Sequence, residues 1–247
     1  MSLKKVAIIT GASSGIGLAI AKKMLSENIQ PVGWDVTIPA QDLGFPIIKC
    51  DVSNELAVNE AYLQVKKQFG APDILVNNCG LQFMSPIEDY PLEKWNLLIG
   101  VLLTGTFLCS RAVFKDMKEK KSGRIINISS VHGKLASPFK AAYVAAKHGV
   151  HGLSKVMAIE GADFGITVNN ICPGFVDTPL MRNQVKAQME LNNMSEDDVL
   201  RNVFLKAQHI KQLTQPSQVA DLTSFLCSPS ASTITGESYS ISGGWGS

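Results

Sequence analysis

A short apolar run, Val6-Ala7-Ile8-Ile9-Thr10, opens directly into Gly11-Ala12-Ser13-Ser14-Gly15-Ile16-Gly17, and a helical pattern begins at once. The first ten residues read as a strand. Apolar residues on consecutive positions suit a strand covered on both faces, as in a parallel sheet. The helix that follows puts Ile16, Ala19, Ile20 and Met24 on one face, the spacing of a helix lying on a core. Strand, glycine turn and helix together demand that the chain return over the sheet before the next strand.

The rest of the chain keeps that rhythm. Strands are predicted at 6–10, 31–35, 47–51, 74–77, 124–129, 167–172 and 237–241, and helices near 16–24, 54–69, 92–120, 140–164 and 216–226. The expectation is an α/β fold: a doubly wound (Rossmann) parallel sheet of about seven strands with helices on both faces. No repeat or low-complexity linker divides the 247 residues, so 1–247 reads as a single domain. A hydrophobic share of 45% against 18% charged residues suits a sizeable core.

A net charge of +2, from 23 basic and 21 acidic side chains, offers no electrostatic ground for a nucleic-acid or membrane-surface partner. No apolar run approaching ~20 residues stands out as a membrane span, and no leader pattern precedes the first strand. Five scattered cysteines, Cys50, Cys79, Cys109, Cys172 and Cys227, are expected as free thiols, with the cytoplasm as default compartment.

Each glycine of the first turn has a use. Gly11 permits the tight turn, Gly15 lets backbone N–H groups of the Ser13, Ser14 and Ile16 region approach a pyrophosphate, and Gly17 allows close helix packing. The helix N-terminus adds a positive dipole end. Asp35 closes the second strand twenty residues past Gly15, where a carboxylate meets the ribose hydroxyls of NAD and repels a 2′-phosphate. A turn aspartate is the plainer alternative. Asp51, with Val52 beside it, ends the next strand and is a candidate for the adenine edge.

Tyr143 and Lys147 stand one helical turn apart on a shared face. An ammonium ~4 Å from the phenol, at an effective dielectric of ~20, is worth roughly 4 kcal/mol and favours a phenolate. Ser130, just past a strand end, can hydrogen-bond a reacting carbonyl oxygen. The stretch 177–211 breaks the βα rhythm. It reads as a helical insertion opening at Ser195 with Asp198 at capping-box distance, either a substrate lid or a passive surface excursion.

These motifs together resemble the short-chain dehydrogenase/reductase family over essentially the whole chain. They are Thr10-Gly11-x3-Gly15-Ile16-Gly17, Asn77-Asn78-Cys79-Gly80, Ser130, Tyr143-x3-Lys147 and Pro173-Gly174-x3-Thr178. The resemblance implies that Ser130 positions a carbonyl, Tyr143 transfers a proton, and Lys147 lowers the tyrosine pKa and holds the nicotinamide ribose. It also places Asn78, Gly80, Pro173, Gly174, Val176 and Thr178 along the cofactor. The motifs Gly80-Leu81-Gln82, Ser130-Val131-His132-Gly133, Lys140-Ala141-Ala142-Tyr143 and Gly243-Gly244-Trp245 are closer still to members acting on small 3-hydroxy acids. That implies a substrate site of Gln82, Ser130, His132, Lys140, Tyr143, Gln184 and Trp245. The residues agree, since His132 is two past Ser130, Lys140 lies just before Tyr143, and a lysine suits a carboxylate.

The expected activity is NAD-dependent interconversion of a small 3-hydroxy acid and its keto acid, with 3-hydroxybutyrate and acetoacetate as the leading pair and no metal. The rivals are an NADPH-dependent reductase of 3-oxoacyl thioesters and a dinucleotide-binding module with little catalysis. The resemblance further implies a homotetramer built on the helices from 92 and 140. One departure stands out: Leu102 occupies a position where the family usually carries an asparagine.

Overall fold

The computed structural model describes residues 5–246, apart from the side chains at 187, 191 and 192. Residues 1–4 of the predicted first strand lie outside the described residues. Seven strands form one sheet: β1 (Val6–Thr10), β2 (Gln30–Asp35), β3 (Ile47–Lys49), β4 (Ile74–Asn77), β5 (Gly123–Ile128), β6 (Ile166–Pro173) and β7 (Ser238–Ile241). Their spatial order is β3-β2-β1-β4-β5-β6-β7, and every pair is parallel. The chain winds outward from β1 to β3, then restarts at β4 on the other side. This leaves a crevice beyond the carboxyl ends of β1 and β4, the switch point at which such sheets bind ligands.

The consecutive apolar residues of β1 divide between two cores. Val6 and Ile8 pack with Val58 and Val65 of α2 (Glu55–Phe69) and with Leu108, Val113 and Met117 of α4 (Gly105–Lys120). Ala7 and Ile9 face Ile20 and Met24 of α1 (Gly15–Ser26) and Val219 and Leu226 of α8 (Pro216–Cys227). Period-2 alternation is thus present in space although the residue types conceal it. The five cysteines are free thiols, all buried but the half-buried Cys79.

Boundaries moved where side chains compete with the ladder. β3 stops at Lys49, because Asp51 accepts bonds from Ser53 N at 2.9 Å and Ser53 Oγ at 2.7 Å and turns the chain. The long helix is α3 (Leu92–Ile99), a π-helical turn (Gly100–Thr104) and α4 in one run. Against the expectation that no run stands out as a span, it is apolar enough to cross a membrane by length and composition. Here its Leu98, Leu102, Leu108, Cys109, Val113 and Met117 are buried within the fold. α5 (Ala141–Gly161) lies on the same face as α4, with Met157 and Ala158 in that core.

The 177–211 segment forms α6 (Pro179–Asn192), α7 (Glu196–Val199) and two irregular turns. Ser195 Oγ accepts from Asp198 N at 3.2 Å, the expected cap, and donates to Asp198 Oδ2 at 2.6 Å. A small apolar cluster of its own, with Met181, Val185 and Val199 buried, holds the segment together. Arg182 clasps Asp177 through two bonds of 2.6 and 2.7 Å and Glu196 through one of 2.5 Å.

A row of polar side chains crosses the sheet. Asn77, Asn127, Asn170 and Ser238 are register partners on β4, β5, β6 and β7. Asn77 Nδ2 donates to Asn127 Oδ1 at 2.8 Å, and Asn127 Nδ2 donates to Ser154 Oγ of α5 at 2.8 Å. Ser154 Oγ lies 2.7 Å from Asn170 Oδ1, and Asn170 Nδ2 donates to Ser238 Oγ at 3.0 Å. Replacing Asn127 by Ala removes one bond from the Asn77 amide, which keeps Ser110 Oγ, and one from Ser154 Oγ, which keeps Val150 O and Asn170 Oδ1; each lost bond is worth about 1 kcal/mol. Asn127→Ala is expected to lower the unfolding free energy by about 2 kcal/mol or more in a urea titration, and an unchanged midpoint refutes the role of the row.

Candidate active site

The glycine turn is built to stay open. Gly11 and Gly15 have φ of 65° and 54°, the left-handed region that favours glycine. A Cβ on Gly17 would lie 2.2 Å from the Gly11 carbonyl oxygen. The β4 end locks this turn: Asn78 Nδ2 donates to Thr10 O at 3.0 Å and Gly11 O at 3.1 Å, while Asn78 N and Cys79 N donate to Thr10 Oγ1. Gly80 follows, exposed. Ser14 starts α1 without capping it by its side chain, so the first-turn N–H groups have no side-chain acceptor there. Asp35 Oδ2 accepts from Ser13 N at 3.1 Å, and Oδ1 accepts from Thr37 N at 3.1 Å.

Across the crevice, an added Cβ on Gly15 would meet Thr178 Cγ2 at 3.3 Å. Thr178 caps α6 by accepting from Met181 N at 3.3 Å. Pro173 ends β6, Gly174 N donates to Ile241 O at 3.1 Å, and buried Val176 bridges to Thr214. A cradle that a side chain would fill, an uncapped helix start and a carboxylate at the β2 end fit an elongated dinucleotide. Asp51 is exposed and engaged with Ser53, and Val52 is buried against Gly105. Neither is bonded to Asp35 or the glycine turn.

Ser130, Tyr143 and Lys147 come together. Lys147 is buried and donates to Ile128 O at 2.8 Å, with its nitrogen 5.7 Å from the Tyr143 ring centroid. Burial pushes its pKa down to about 8. The expected fall in the Tyr143 pKa is not what this arrangement produces. Burial raises it, and a hydrogen bond with Ser130 draws it partly back. The ammonium donates instead to a backbone carbonyl, Ile128 O. Ser130 Oγ accepts from His132 N at 3.2 Å and lies 3.4 Å from His132 Nδ1.

Of the predicted substrate residues, His132, Trp245 and Tyr143 share one cluster. The His132 ring meets Tyr143 at 5.9 Å and Trp245 at 5.2 Å between centroids, both edge to face. Its Nε2 lies 2.8 Å from Ser137 Oγ. Burial, with Lys140 next, holds its pKa down to about 4, so the ring is neutral at pH 7. Lys140 begins α5. Burial lowers its pKa, and no carboxylate pairs with it among the described residues. Gln82 Oε1 is buried without a partner. Gln184 sits half-buried on α6, with no bond to the other substrate candidates.

Two further aromatic residues, unforeseen from sequence, complete the wall. Phe175 stacks on Trp245 at 5.3 Å and 20°, and meets Phe204 of the 177–211 segment edge-on at 5.3 Å. Only the Pro-Gly turn beside Phe175 hinted at its place. A hollow of about 390 Å³, lined by Thr214, Gln218 and Ser240, borders the site only through Trp245 and its neighbours.

Fold and switch-point turn define a dinucleotide-binding α/β protein, and the family match makes it an oxidoreductase with a nicotinamide dinucleotide. Residues 5–189 match the short chain dehydrogenase family, and the chain belongs to it. It is 42% identical to a D-beta-hydroxybutyrate dehydrogenase of Rhizobium meliloti (strain 1021), covering 98% of this chain and 99% of that protein. An acetoacetyl-CoA reductase of the same organism is 35% identical, with 98% of each chain covered. A solved single-substitution variant of actinorhodin polyketide ketoreductase with NADPH superposes with a TM-score of 0.91 at 31% identity, covering 98% of this chain and 97% of its own.

Leu102 lies in the π-helical turn, a distortion frequent at functional sites. Its side chain is buried with Leu98, Ala142 and Ala146, against Tyr143 and Trp95. Its carbonyl accepts from Thr106 Oγ1 at 2.8 Å. An amide placed among these apolar neighbours would lose water without gaining a partner, at about 1–3 kcal/mol. Leu102→Asn is therefore expected to lower the melting temperature while kcat stays within about twofold. A clear rise in kcat, strongest at low pH, shows instead that the leucine throttles proton transfer.

Proposed function

We propose that the protein is an NAD-dependent dehydrogenase that interconverts a small 3-hydroxy acid and its 3-keto acid, with D-3-hydroxybutyrate and acetoacetate as the preferred pair. The observation that carries the reading is Lys140: a desolvated ammonium with no carboxylate partner among the described residues, beside neutral His132 and one turn from Tyr143. A substrate carboxylate completes that pair and is held by charge-assisted bonds. The identity to a D-beta-hydroxybutyrate dehydrogenase supports the same assignment.

Gly11, Ser13, Ser14, Gly15, Ile16 and Gly17 cradle the pyrophosphate, and Asp35 takes the ribose hydroxyls. Asp51, Val52, Asn78, Gly80, Pro173, Gly174, Val176 and Thr178 complete the cofactor surface. Bound NAD supplies the hydride acceptor. Ser130 orients the substrate oxygen; Tyr143 takes the hydroxyl proton as a phenolate in the oxidation and returns it as a phenol in the reduction, with the Lys147 charge beside it. Gln82, Gln184 and Trp245 close the substrate side, with residues 177–211 as a lid over it.

The chain acts in the cytoplasm, on a small molecule, without nucleic acid, membrane or metal. It assembles as a homotetramer through the helices from 92 and 140, which expose Leu97, Phe107, Val156 and Ile159.

Cofactor choice follows Asp35. Activity with NAD is expected to exceed that with NADP strongly, and Asp35→Ser to narrow the ratio by relieving like-charge repulsion. Equal rates with the two cofactors in the unmodified protein remove Asp35 from this role.

Charge also separates the hydroxy acid from the thioester. Lys140→Ala is expected to cost about 2–4 kcal/mol in kcat/KM for 3-hydroxybutyrate, and to change little for its methyl ester, already a poor substrate. Efficient reduction of acetoacetyl-coenzyme A, indifferent to Lys140→Ala, overturns the hydroxy-acid assignment in favour of a thioester reductase.

A further inference from the structure

His151 has no part in the chemistry proposed above, yet it lies directly beneath it. It follows Lys147 by one helical turn and Tyr143 by two, so all three share a face of α5. Its Nε2 is 2.9 Å from Ser129 Oγ, at the β5 end, and 3.5 Å from Cys172 Sγ, on β6. One ring therefore ties together the two strand ends from which Ser130 and the Pro173-Gly174 turn depart. The turn Val131–Gly133 rests on it: a Cβ on Gly133 would stand 2.4 Å from His151 Nε2 and 2.8 Å from Ser129 Oγ.

We infer that His151 is a positioning residue for the catalytic serine, clamping the ends of β5 and β6 and supporting the turn that presents Ser130 and His132. Burial, together with Lys134, His148, Lys147 and Lys155 around it, keeps the ring neutral, with a pKa down to about 4. In the tautomer with an unprotonated Nε2, the ring accepts from the Ser129 hydroxyl at 2.9 Å, with the Cys172 thiol 3.5 Å away. Ser129 N in turn donates to Ile171 O at 2.7 Å. Ser129 is thus held on both sides, by its backbone across the sheet and by its side chain to α5. The backbone step to Ser130 inherits that rigidity. Without the ring the turn has space to settle, carrying the Ser130 hydroxyl away from the Tyr143 phenol.

The inference rests on the assignment of Ser130 and Tyr143 as the reacting pair, and its test needs no substrate. His151→Leu fills the space without a bond, His151→Gln restores a bonding group, and Ser129→Ala removes only the hydroxyl. Each is made in the full chain, and the Tyr143 phenol is titrated by its phenolate absorbance, with Tyr143→Phe as the blank. His151→Leu and Ser129→Ala are expected to move that titration to higher pH, the Gln variant to return it, and the double variant to add nothing. In turnover, kcat should fall about tenfold in His151→Leu, part of the ~10²-fold that a 1 Å misplacement costs, while dinucleotide affinity stays within about twofold. An unshifted phenol titration in both Ser129→Ala and His151→Leu, or a Gln variant no better than Leu, overturns the inference, and Ser129→Ala decides should His151→Leu fail to fold. Absence of 3-hydroxybutyrate turnover in the unmodified protein counts against the proposed substrate alone.

Discussion

The candidate site depends on strand register, and the amide row from Asn77 to Ser238 is where register is held by side chains as well as backbone. Parallel strands buried on both faces are slippery in one respect: an apolar side chain one position along is still apolar, so burial alone discriminates poorly between registers. A buried amide discriminates sharply, because a slip leaves its donors and acceptors unpaired in a low-dielectric interior. The site residues lie just beyond this row. Asn78 follows Asn77, Ser129 and Ser130 follow Asn127 by two and three residues, and Pro173 and Gly174 follow Asn170. Fixing the row fixes their relative heights at the sheet's carboxyl edge.

Above the row the site is governed by desolvation. Burial lowers the pKa of Lys147 to about 8 and of His132 to about 4, lowers that of Lys140, and raises that of Tyr143. Every one of these shifts disfavours the charged form. A site of this kind favours ligands that bring compensating charge, and the proposed substrate, a small carboxylate, does so at Lys140. The same desolvation makes the single bond from Lys147 to Ile128 O costly to lose, since no other acceptor for that ammonium is in place among the described residues.

Aromatic contacts connect the site to the segment proposed as its lid. Tyr143, His132, Trp245, Phe175 and Phe204 meet in succession, from α5 through the Val131–Gly133 turn and the C-terminal stretch to the insertion. Ring pairs of this geometry are each worth about 0.5–1.5 kcal/mol beyond their burial. The clasp of Arg182 on Asp177 and Glu196 sets the base of the same segment. The insertion is therefore anchored at its root by charge and at its far end by ring packing.

By itself the sequence determined the architecture: a seven-stranded doubly wound sheet, the turn at Gly11–Gly17, and the helical pair Tyr143 and Lys147. These are local signals, since apolar runs, glycine spacing and i,i+4 neighbours depend on backbone geometry a few residues wide. It also grouped His132, Trp245 and Tyr143 by motif, and the fold brings them within ring contact. Tertiary structure decided the rest. Asn127, Asn170 and Ser154 were unremarkable polar residues until pairing aligned them, and Phe175 and Phe204 lie 29 positions apart before they meet. Helical spacing placed the Lys147 ammonium near the phenol, but only three dimensions showed a backbone carbonyl competing for it. Hydrogen-bond competition and desolvation are properties of a packed interior, and no local pattern in a chain encodes which distant atom will stand within ~3 Å of another.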